Sequence, residues 1–565
     1  MINKLTNILN FIYSNFILVL SILIILFILI IKIENLNFGI DSIYDEGFLL
    51  LKLDNFNLGD LTLSNKIIKL FLLKSGYVYI QLKYLKFIFQ ISIIVFITYV
   101  LLQFFKLKFG LDNTKNKVLI VIFLTLFFIP SINIYTSILS YNHIQQFVIF
   151  FGISCYLCAY KNKKSYLYFI IIGLTSFISI INIPSSGIVY CCVLFCFVFF
   201  DKQINLELRK KVLFIILGFL MSIIFFDIFI FDSFKWIIQL YKNIILLSES
   251  KRGYDIVHFS KAIYEYLYHF IKLTFYYGFF GFFYVFLNNR NFNFIVIIFL
   301  LVLVFCDLLF LKNLDSIFLF PLIVTLINER KEILKFDFFY KFLILTSVFL
   351  PLFFSIGTNT SLSIKSLYFI PIWAILILLI SIGKTNNYKF LNHMILLLLI
   401  VTVVNEKNNL EISKNINGNF LTSTYHSNIP RISKISLRVE QKRYFENIKR
   451  ICNKYKLSKN DFTFSFQLDA MTQYILETKV VGPFFQPIDY LLVKDKSILP
   501  QPKFIFLNQY EYDRTFDTLT KYYSDYPENY DKYFVGTPEI ANVGYSTERW
   551  LYCRKIKNVK DVTKN

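Results

Sequence analysis

Glycine is scarce in this chain, with 18 residues among 565, about half the usual share. Transporters are expected to contain helices broken by glycine or proline near the middle of the membrane. The scarcity of glycine therefore argues against a transporter. The polar segment after residue 405 lacks a glycine-rich phosphate loop, a metal-ligand cluster and a nucleophile motif. We expect that segment to recognise a partner or to support the rest of the chain.

Cysteine is present but does not indicate a reactive site. Six of the eight cysteines lie in apolar runs, where cysteine usually behaves as a small hydrophobic residue. We interpret the Cys155-x-x-Cys158 spacing as helix surface. Cys452 and Cys553 lie in the polar tail and could pair if the tail is exported, but the sequence leaves open whether their geometry allows a disulfide.

Apolar residues dominate the chain, which is 56% hydrophobic and has a mean hydropathy of +0.57. Apolar runs of about twenty residues, long enough to cross a bilayer, recur along it. The chain is therefore predicted to be a polytopic α-helical membrane protein. The first run, Phe11 to Ile33, is too long for a signal-peptide core and lacks a small-x-small cleavage site, so we expect it to be retained.

Thirteen transmembrane helices are predicted in residues 1–404. They lie near residues 11–33, 86–105, 118–130, 144–160, 165–182, 187–200, 212–231, 271–287, 294–311, 316–328, 338–356, 368–383 and 390–404. Lys and Arg gather in alternate short connections, at 161–164, 209–211, 288–291, 329–335 and 384–389. Such loops stay in the cytoplasm, which predicts a plasma (inner) membrane protein with its N-terminus inside and its tail outside.

The net charge is +22, and the Lys and Arg residues fall largely in short loops between apolar runs, where positive charge sets orientation. We therefore expect the membrane, and no nucleic acid, as the partner of these cations. Residues 405–565 form a second predicted unit, polar and of the size of a small domain. A helix at 440–456 and strands at 462–466, 503–507 and 550–554 predict a small exported α/β domain.

Two adjacent acids, Asp45 and Glu46, follow the first predicted span. The topology puts them on the outer face, next to the membrane boundary, so they are candidate site residues. The alternative is a solvated loop that collects charge, as loops commonly do.

Two further acids, Asp227 and Asp307, lie within predicted spans, each about one turn from the outer end. An ionised carboxylate is costly in lipid, so such residues usually face a cavity or a partner. These two could line an outward-facing pocket. They could equally snorkel to the interface or join helices by a hydrogen bond.

The motif Tyr44-Asp45-Glu46-Gly47, with about thirteen spans and a polar tail, resembles the GT-C glycosyltransferases. The resemblance is to the bacterial branch related to protein O-mannosyltransferases and lipid A aminoarabinose transferases. The stretch Leu73 to Tyr79 is similar to the family's Lys-Pro-Pro-Leu-Tyr-Tyr segment, with Ser-Gly in place of Pro-Pro. Gly357-Thr358-Asn359-Thr360 looks like a Gly-Thr-Asn motif of bacterial members.

The resemblance implies a glycosyltransferase that moves a sugar from a polyprenyl-phosphate donor to a lipid, glycan or protein acceptor on the outer face. It implies that Asp45 is the catalytic carboxylate, with Glu46 as a neighbour that positions or tunes it. Lys74 corresponds to the lysine that contacts the lipid phosphate. Further cations that could meet this phosphate, or merely contact lipid headgroups, are Lys242, Arg252 and Lys365.

Many relatives carry a second acid before the fourth span, often as a metal ligand, where this chain has Ser140-Tyr141-Asn142-His143. The departure leaves open whether a divalent cation is a cofactor. Asn142 and His143 are pocket candidates. His143 could be a ligand or a hydrogen-bond partner, or a structural residue at the interface.

Two other classes of function remain as alternatives. One is a lipid-linked sugar transporter, against which the glycine content argues. The other is a polysaccharide polymerase or ligase, which usually carries its large outer loop in mid-chain and lacks an exported tail domain. The early acidic pair favours the transferase.

Overall fold

The computed structural model describes most of the apolar part of the chain and about half of the polar tail. The described residues are 2–38, 49–50, 53, 68–69, 72, 78–132, 138–159, 165–200, 207–228, 256–289, 293–311, 314–335, 338–355, 366–382, 388–412, 424–465, 470–480, 501–508, 519–520, 523, 525–536 and 549–555.

Helices make up nearly all of the described chain before residue 413. They are α1 (Ile2–Asn35), α2 (Val78–Phe109), α3 (Thr114–Ile132), α4 (Tyr141–Ala159), α5 (Ser165–Asn182), α6 (Pro184–Phe200), α7 (Leu208–Phe226), α8 (Ile256–Asn289), α9 (Asn293–Cys306), α10 (Leu319–Asn328), α11 (Arg330–Lys335), α12 (Phe338–Ser355), α13 (Pro371–Ser381) and α14 (Tyr388–Ile412). A π-helical turn at Asp307–Leu311 and a 3-10 turn at Leu314–Phe318 connect α9 to α10.

Six segments in the described ranges are long and apolar enough to cross a membrane. They are Asn15–Asn35, Val78–Phe109, Thr114–Ile132, Ser165–Asn182, Ile263–Asn288 and Tyr388–Asn408. Many of their large apolar side chains point outward, as Phe27 of α1 and Phe275 of α8 do, at 63% and 78% exposure. Such surfaces suit contact with lipid. The chain is therefore a membrane protein, while the count of thirteen crossings stays a prediction.

Two glycines allow α5 and α7 to pack closely. A methyl group on Gly173 of α5 would overlap the backbone carbonyl of Ile215, and one on Gly218 of α7 would overlap that of Ile170. Small residues let membrane helices approach each other in this way. The few glycines of the chain include these two contact points.

An ion pair joins the last turn of α1 to the C-terminal third of α14. Lys32 Nζ lies 2.8 Å from Glu406 Oε2, and the two side chains are only 19% and 7% exposed. Because the two helices pack side by side and this pair joins their C-terminal parts, α1 and α14 run in the same direction. We call the end of the bundle where both helices finish the tail-side end.

The tail contains a five-stranded mixed sheet. Its strands are β3 (Phe462–Ser465), β4 (Lys479–Val480), β5 (Phe504–Asn508), β6 (Tyr530–Gly536) and β7 (Arg549–Arg554). They lie in the order β4-β3-β5-β7-β6, with β3 parallel to β4 and β5, and β7 antiparallel to β5 and β6. A separate short pair is formed by β1 (Tyr425–His426) and β2 (Ser436–Leu437).

Helix α15 (Val439–Lys454) packs on one face of this sheet through Tyr444, Phe445 and Ile448. A shorter helix, α16 (Ala470–Leu476), lies between β3 and β4 in the chain. The predicted helix at 440–456 corresponds to α15, and the three predicted strands correspond to β3, β5 and β7. The domain boundary at residue 404 stays a prediction, although α14 itself continues to Ile412.

Cys452 of α15 and Cys553 of β7 are both buried in the core between helix and sheet, and both are free thiols. Burial raises the pKa of the Cys553 thiol to about 12. This thiol is therefore protonated and unreactive near neutral pH.

We expect Glu406→Gln to destabilise the bundle, because it leaves the ammonium of Lys32 partly buried beside a neutral partner. A fully buried pair that loses one partner costs about 3–5 kcal/mol, and this partly exposed pair should cost less. The measurement is thermal unfolding of the purified protein in detergent. The reversed pair, Lys32→Glu with Glu406→Lys, should recover most of the loss. An unchanged unfolding temperature for Glu406→Gln would show that the pair contributes nothing.

Candidate active site

Most of the predicted site residues lie outside the described residues. These are Asp45, Glu46, Lys74, Lys242, Arg252 and Lys365. The Gly357 to Thr360 motif lies outside them too. Their roles stay predictions. The structure does place Asn142, His143, Asp227 and Asp307.

Several helix ends meet at the tail-side end of the bundle. The backbone N–H of Leu139 donates to the carbonyl of Leu82 at 3.0 Å, which joins the start of α4 to the start of α2. Asn182, the last residue of α5, donates from Nδ2 to the carbonyl of Tyr141 at 2.8 Å. Gln146 donates from Nε2 to the carbonyl of Tyr368 at 2.8 Å. The starts of α2 and α4, the end of α5 and the residues before α13 therefore converge.

Polar side chains are buried at this junction, where apolar ones would be usual for a membrane bundle. We call the following group the polar cluster: Lys83, Lys86, Ser140, His143, Gln145, Gln146, Ser179, Asn182 and Ser186. All nine are buried. Buried polar groups are costly unless they are hydrogen-bonded, so this concentration marks either a structural joint or a binding site.

Gln145 is the centre of the structural part. Its Nε2 donates to Ser179 Oγ at 2.6 Å and to Ser186 Oγ at 3.0 Å, and its Oε1 accepts from Asn182 Nδ2 at 2.9 Å. One amide thus connects α4 to α5 and α6. The network holds the first turn of α4 in place, and that turn carries the predicted residues Asn142, which is half-buried, and His143.

His143 is fully buried and has one ring nitrogen satisfied. The backbone N–H of Ser140 donates to Nδ1 at 3.1 Å, and Ser140 Oγ lies 2.8 Å from the same nitrogen. The Tyr368 ring packs edge-on against the imidazole at 5.3 Å, and Lys86 acts on it electrostatically from α2. Nε2 has no hydrogen-bond partner among the described residues.

The bond from Ser140 decides what Nε2 can do. A backbone amide can only donate, so Nδ1 is an acceptor and the proton of the neutral ring is on Nε2. A histidine that ligates a metal through one nitrogen almost always donates a proton from the other. His143 has the opposite arrangement. It fits a hydrogen-bond donor toward an oxygen of a bound molecule, and it does not fit a metal ligand.

Among the residues that the structure describes, no group of three or more His, Cys, Asp or Glu side chains is placed to hold a metal ion. The two acids that the family resemblance points to first, Asp45 and Glu46, lie outside that part of the chain. Whether a divalent cation binds therefore depends on those two residues. His143 instead presents an N–H group at Nε2 that can donate a hydrogen bond.

Lys83 and Lys86 are the site residues that sequence reasoning missed. They are 1% and 7% exposed. Lys83 donates from Nζ to the carbonyl of Phe38 at 2.8 Å and lies over the Tyr79 ring at 5.3 Å. Their signal in the sequence was a pair of lysines one turn apart at the start of an apolar run. Lysines there usually snorkel toward headgroups, so the pattern could not reveal that these two turn inward.

Phe38 gives this contact its significance. It is the last described residue before the segment 39–48, which carries Asp45 and Glu46. Lys83 therefore contacts the last described residue before the acidic segment. This contact connects the polar cluster to the start of the segment that carries the predicted catalytic pair.

The two acids that the sequence places within predicted spans have different surroundings. Asp307 is fully buried, and Tyr277 of α8 donates to its Oδ2 at 2.8 Å while lying 2.9 Å from Ser316 Oγ. Asp307 therefore makes hydrogen bonds between helices, which was the alternative to a pocket role in the sequence analysis. Asp227 is half-buried at the C-cap of α7. A pocket role for either acid stays a prediction.

No protein-family model matches the chain, and no curated protein sequence is similar to it. Three solved structures are similar in arrangement, all of the oligosaccharyltransferase of the archaeon Archaeoglobus fulgidus. The crystal structure with zinc and sulfate has a TM-score of 0.47 at 11% identity, over 95% of this chain and 73% of that one. The apo form has a TM-score of 0.46 at 12% identity, over 92% and 73% of the two chains.

The third structure is the archaeal oligosaccharyltransferase AglB from Archaeoglobus fulgidus in complex with an inhibitory peptide and a dolichol-phosphate. Its TM-score is 0.44 at 12% identity, over 92% of this chain and 73% of that one. TM-scores below 0.5 are too low to assign a fold or an activity, so the function proposed next is argued from the chain's own residues.

Proposed function

We propose that the chain is a membrane glycosyltransferase that moves a sugar from a polyprenyl-phosphate donor to a lipid, glycan or protein acceptor. The observation that supports this most directly is the 2.8 Å hydrogen bond from Lys83 Nζ to the Phe38 carbonyl. This bond places the buried Lys83 against the residue that leads into the segment with Asp45 and Glu46, and the buried Lys86 follows Lys83 by three residues on α2.

The proposed reaction needs charges of both signs at one place. The acceptor hydroxyl attacks the anomeric carbon of the sugar, the bond from that carbon to the phosphate oxygen breaks, and the phosphate leaves on its lipid. A carboxylate takes the hydroxyl proton. Cations and N–H donors stabilise the negative charge that grows on the departing phosphate. We propose that Asp45 and Glu46 supply the carboxylates and that the buried lysines of α2 supply the cations.

We assign the carboxylate role to Asp45, with Glu46 as the neighbour that positions or tunes it. Lys86 and the Nε2–H of His143 are the proposed donors to the phosphate. Lys74 is proposed as a further phosphate contact from its resemblance to the family's lysine, and Lys242, Arg252 and Lys365 remain candidates for the same role. No step of this proposal is assigned to a metal ion.

We also propose that this site faces outward from the inner membrane, with thirteen crossings and the N-terminus inside. The basic loops of the sequence support this orientation. The parallel course of α1 and α14, tied by Lys32 and Glu406, is the arrangement that an odd number of crossings produces. The residues after α1 and the tail would then lie on the same, outer side.

A reporter that is active only outside the cytoplasm, fused after Asn565, should be active in cells. The same reporter fused within the basic loop at 161–164 should be inactive and serves as the control. Both fusions are compared at matched protein level. An inactive C-terminal fusion of a well-expressed protein would mean an even number of crossings and would overturn the proposed orientation.

Asp45→Asn should lower sugar transfer by about two orders of magnitude or more, because the amide can neither accept the proton nor carry charge. Thermal stability should stay nearly unchanged, because a polar loop residue bordering water does not hold a core together. Transfer is measured with membranes and a panel of labelled polyprenyl-phosphate sugars. Asp54→Asn, in the same predicted outer segment, is the matched control. Near-normal transfer by Asp45→Asn would end the case for this carboxylate.

Lys86→Met should lower turnover of the donor by about a hundredfold, the usual effect of removing one donor to a developing oxyanion. Methionine has a similar length and volume and carries no charge, so the packing of α2 should survive. The measurement is kcat and KM for the donor at matched protein level. Lys106→Met, at the exposed far end of α2, is the control. Wild-type kinetics in Lys86→Met would leave Lys86 as a structural cation.

A further inference from the structure

The two residues before the acidic loop are held by the tail as well as by the bundle. The backbone N–H of Ser436, in β2 of the tail, donates to the carbonyl of Asn37 at 2.9 Å. Phe38 and Ser436 form a parallel β-bridge. On the bundle, two residues of α2 make further contacts: Tyr84 donates to Asn37 Oδ1 at 3.0 Å, and Lys83 donates to the Phe38 carbonyl at 2.8 Å. We call these four contacts the loop clamp.

The tail side of the clamp is itself anchored on the bundle. Ile429, Ile432 and Leu437 flank Ser436 and are buried in one core cluster with Tyr79 and Leu82 of α2. The segment 429–437 is therefore packed against the start of α2 through apolar contacts. These apolar contacts hold the segment around Ser436 independently of the bond to Asn37.

The same segment is tied to the rest of the tail. Arg431 donates from Nη1 to the carbonyl of Tyr474 at 2.9 Å, and its Nε lies 3.5 Å from Glu477 Oε1. The guanidinium also lies over the Tyr474 ring at 4.3 Å. A continuous series of contacts thus runs from α16, through residues 429–437, to the residues before the acidic loop.

The distance along the chain from Phe38 to Asp45 makes it necessary to fix the start of this loop. Asp45 follows Phe38 by seven residues, which can span up to about 25 Å when extended. A catalytic carboxylate must be held much more closely than that, since an error of about 1 Å can cost a hundredfold in rate. Bonds to two successive carbonyls, one from the tail and one from α2, remove most of the freedom at the root.

We propose that the tail is a positioning element of the transfer reaction, which acts by holding the root of the Asp45 loop through Ser436, with Lys83 as its counterpart on α2. The predicted effect on the transfer rate rests on the proposed function. The predicted coupling between the tail and residues 39–48 does not, because it can be measured without substrate.

The test uses two variants of the full-length protein. Ser436→Pro removes the backbone N–H that bonds to Asn37 and also fixes φ at this position. Lys83→Met removes the ammonium that bonds to Phe38 and keeps the side-chain length. Hydrogen–deuterium exchange of residues 39–48 should become faster in both variants, while exchange in α14 should not change. Ser436→Ala keeps the backbone N–H and should exchange as the wild type does.

Kinetics supply the second readout. In both variants kcat should fall by about tenfold to a hundredfold, while KM for the donor should change little, because the carboxylate is misplaced and the donor contacts remain. Unfolding in detergent checks that the bundle is intact. If proline disrupts the tail, Arg431→Met takes its place: it removes the contacts of residues 429–437 with Tyr474 and Glu477, keeps every backbone N–H, and should also make exchange of residues 39–48 faster.

The outcomes separate the two hypotheses. Faster exchange in residues 39–48 with a lower kcat supports the clamp. Wild-type exchange and wild-type kcat in both variants overturn it, even if Asp45→Asn is inactive. Faster exchange, combined with full transfer by Asp45→Asn, would keep the coupling between tail and loop and would overturn the proposed role of Asp45.

Discussion

The hydrogen bond from the Lys83 ammonium to the Phe38 carbonyl is the contact on which the arrangement of the site depends. An ammonium group buried among helices is costly unless it is hydrogen-bonded or paired, and Lys83 is only 1% exposed. The bond ties the first turns of α2 to the chain that leaves α1. It also places Lys83, a member of the polar cluster, against the residue that leads into the acidic segment.

The same constraint explains why the junction contains so many amides and hydroxyls. In surroundings without water, each polar group has to find its partner inside the protein. Gln145 satisfies both ends of its amide with Ser179, Ser186 and Asn182. His143 differs, because Nδ1 is satisfied by Ser140 while Nε2 has no partner within the described part of the chain. A hydrogen-bonded network thus surrounds a donor that has no partner in the described part of the chain, as a preorganised binding group would require.

Sequence reasoning found the elements of the tail because their signals are local. The amphipathic pattern around Tyr444 and Ile448 and the strand-like runs at Phe462, Phe504 and Trp550 correspond to α15, β3, β5 and β7. The edge strand β6 was not predicted, because its polar and aromatic residues, such as Lys532 and Phe534, do not form a clear strand pattern. Its pairing with β7 provides the stability that its own sequence does not show.

The sequence by itself determined that this is a membrane protein built of apolar helices, because hydropathy and span length are properties of short segments. It also singled out Asp45, Glu46 and His143 as residues of interest. Only the tertiary structure decided that Lys83 and Lys86 turn inward, that Nδ1 of His143 accepts a hydrogen bond from the Ser140 backbone, and that Ser436 bonds to Asn37 about four hundred residues away along the chain. These are contacts between distant segments, and a side chain's direction depends on what packs beside it, which no local pattern encodes.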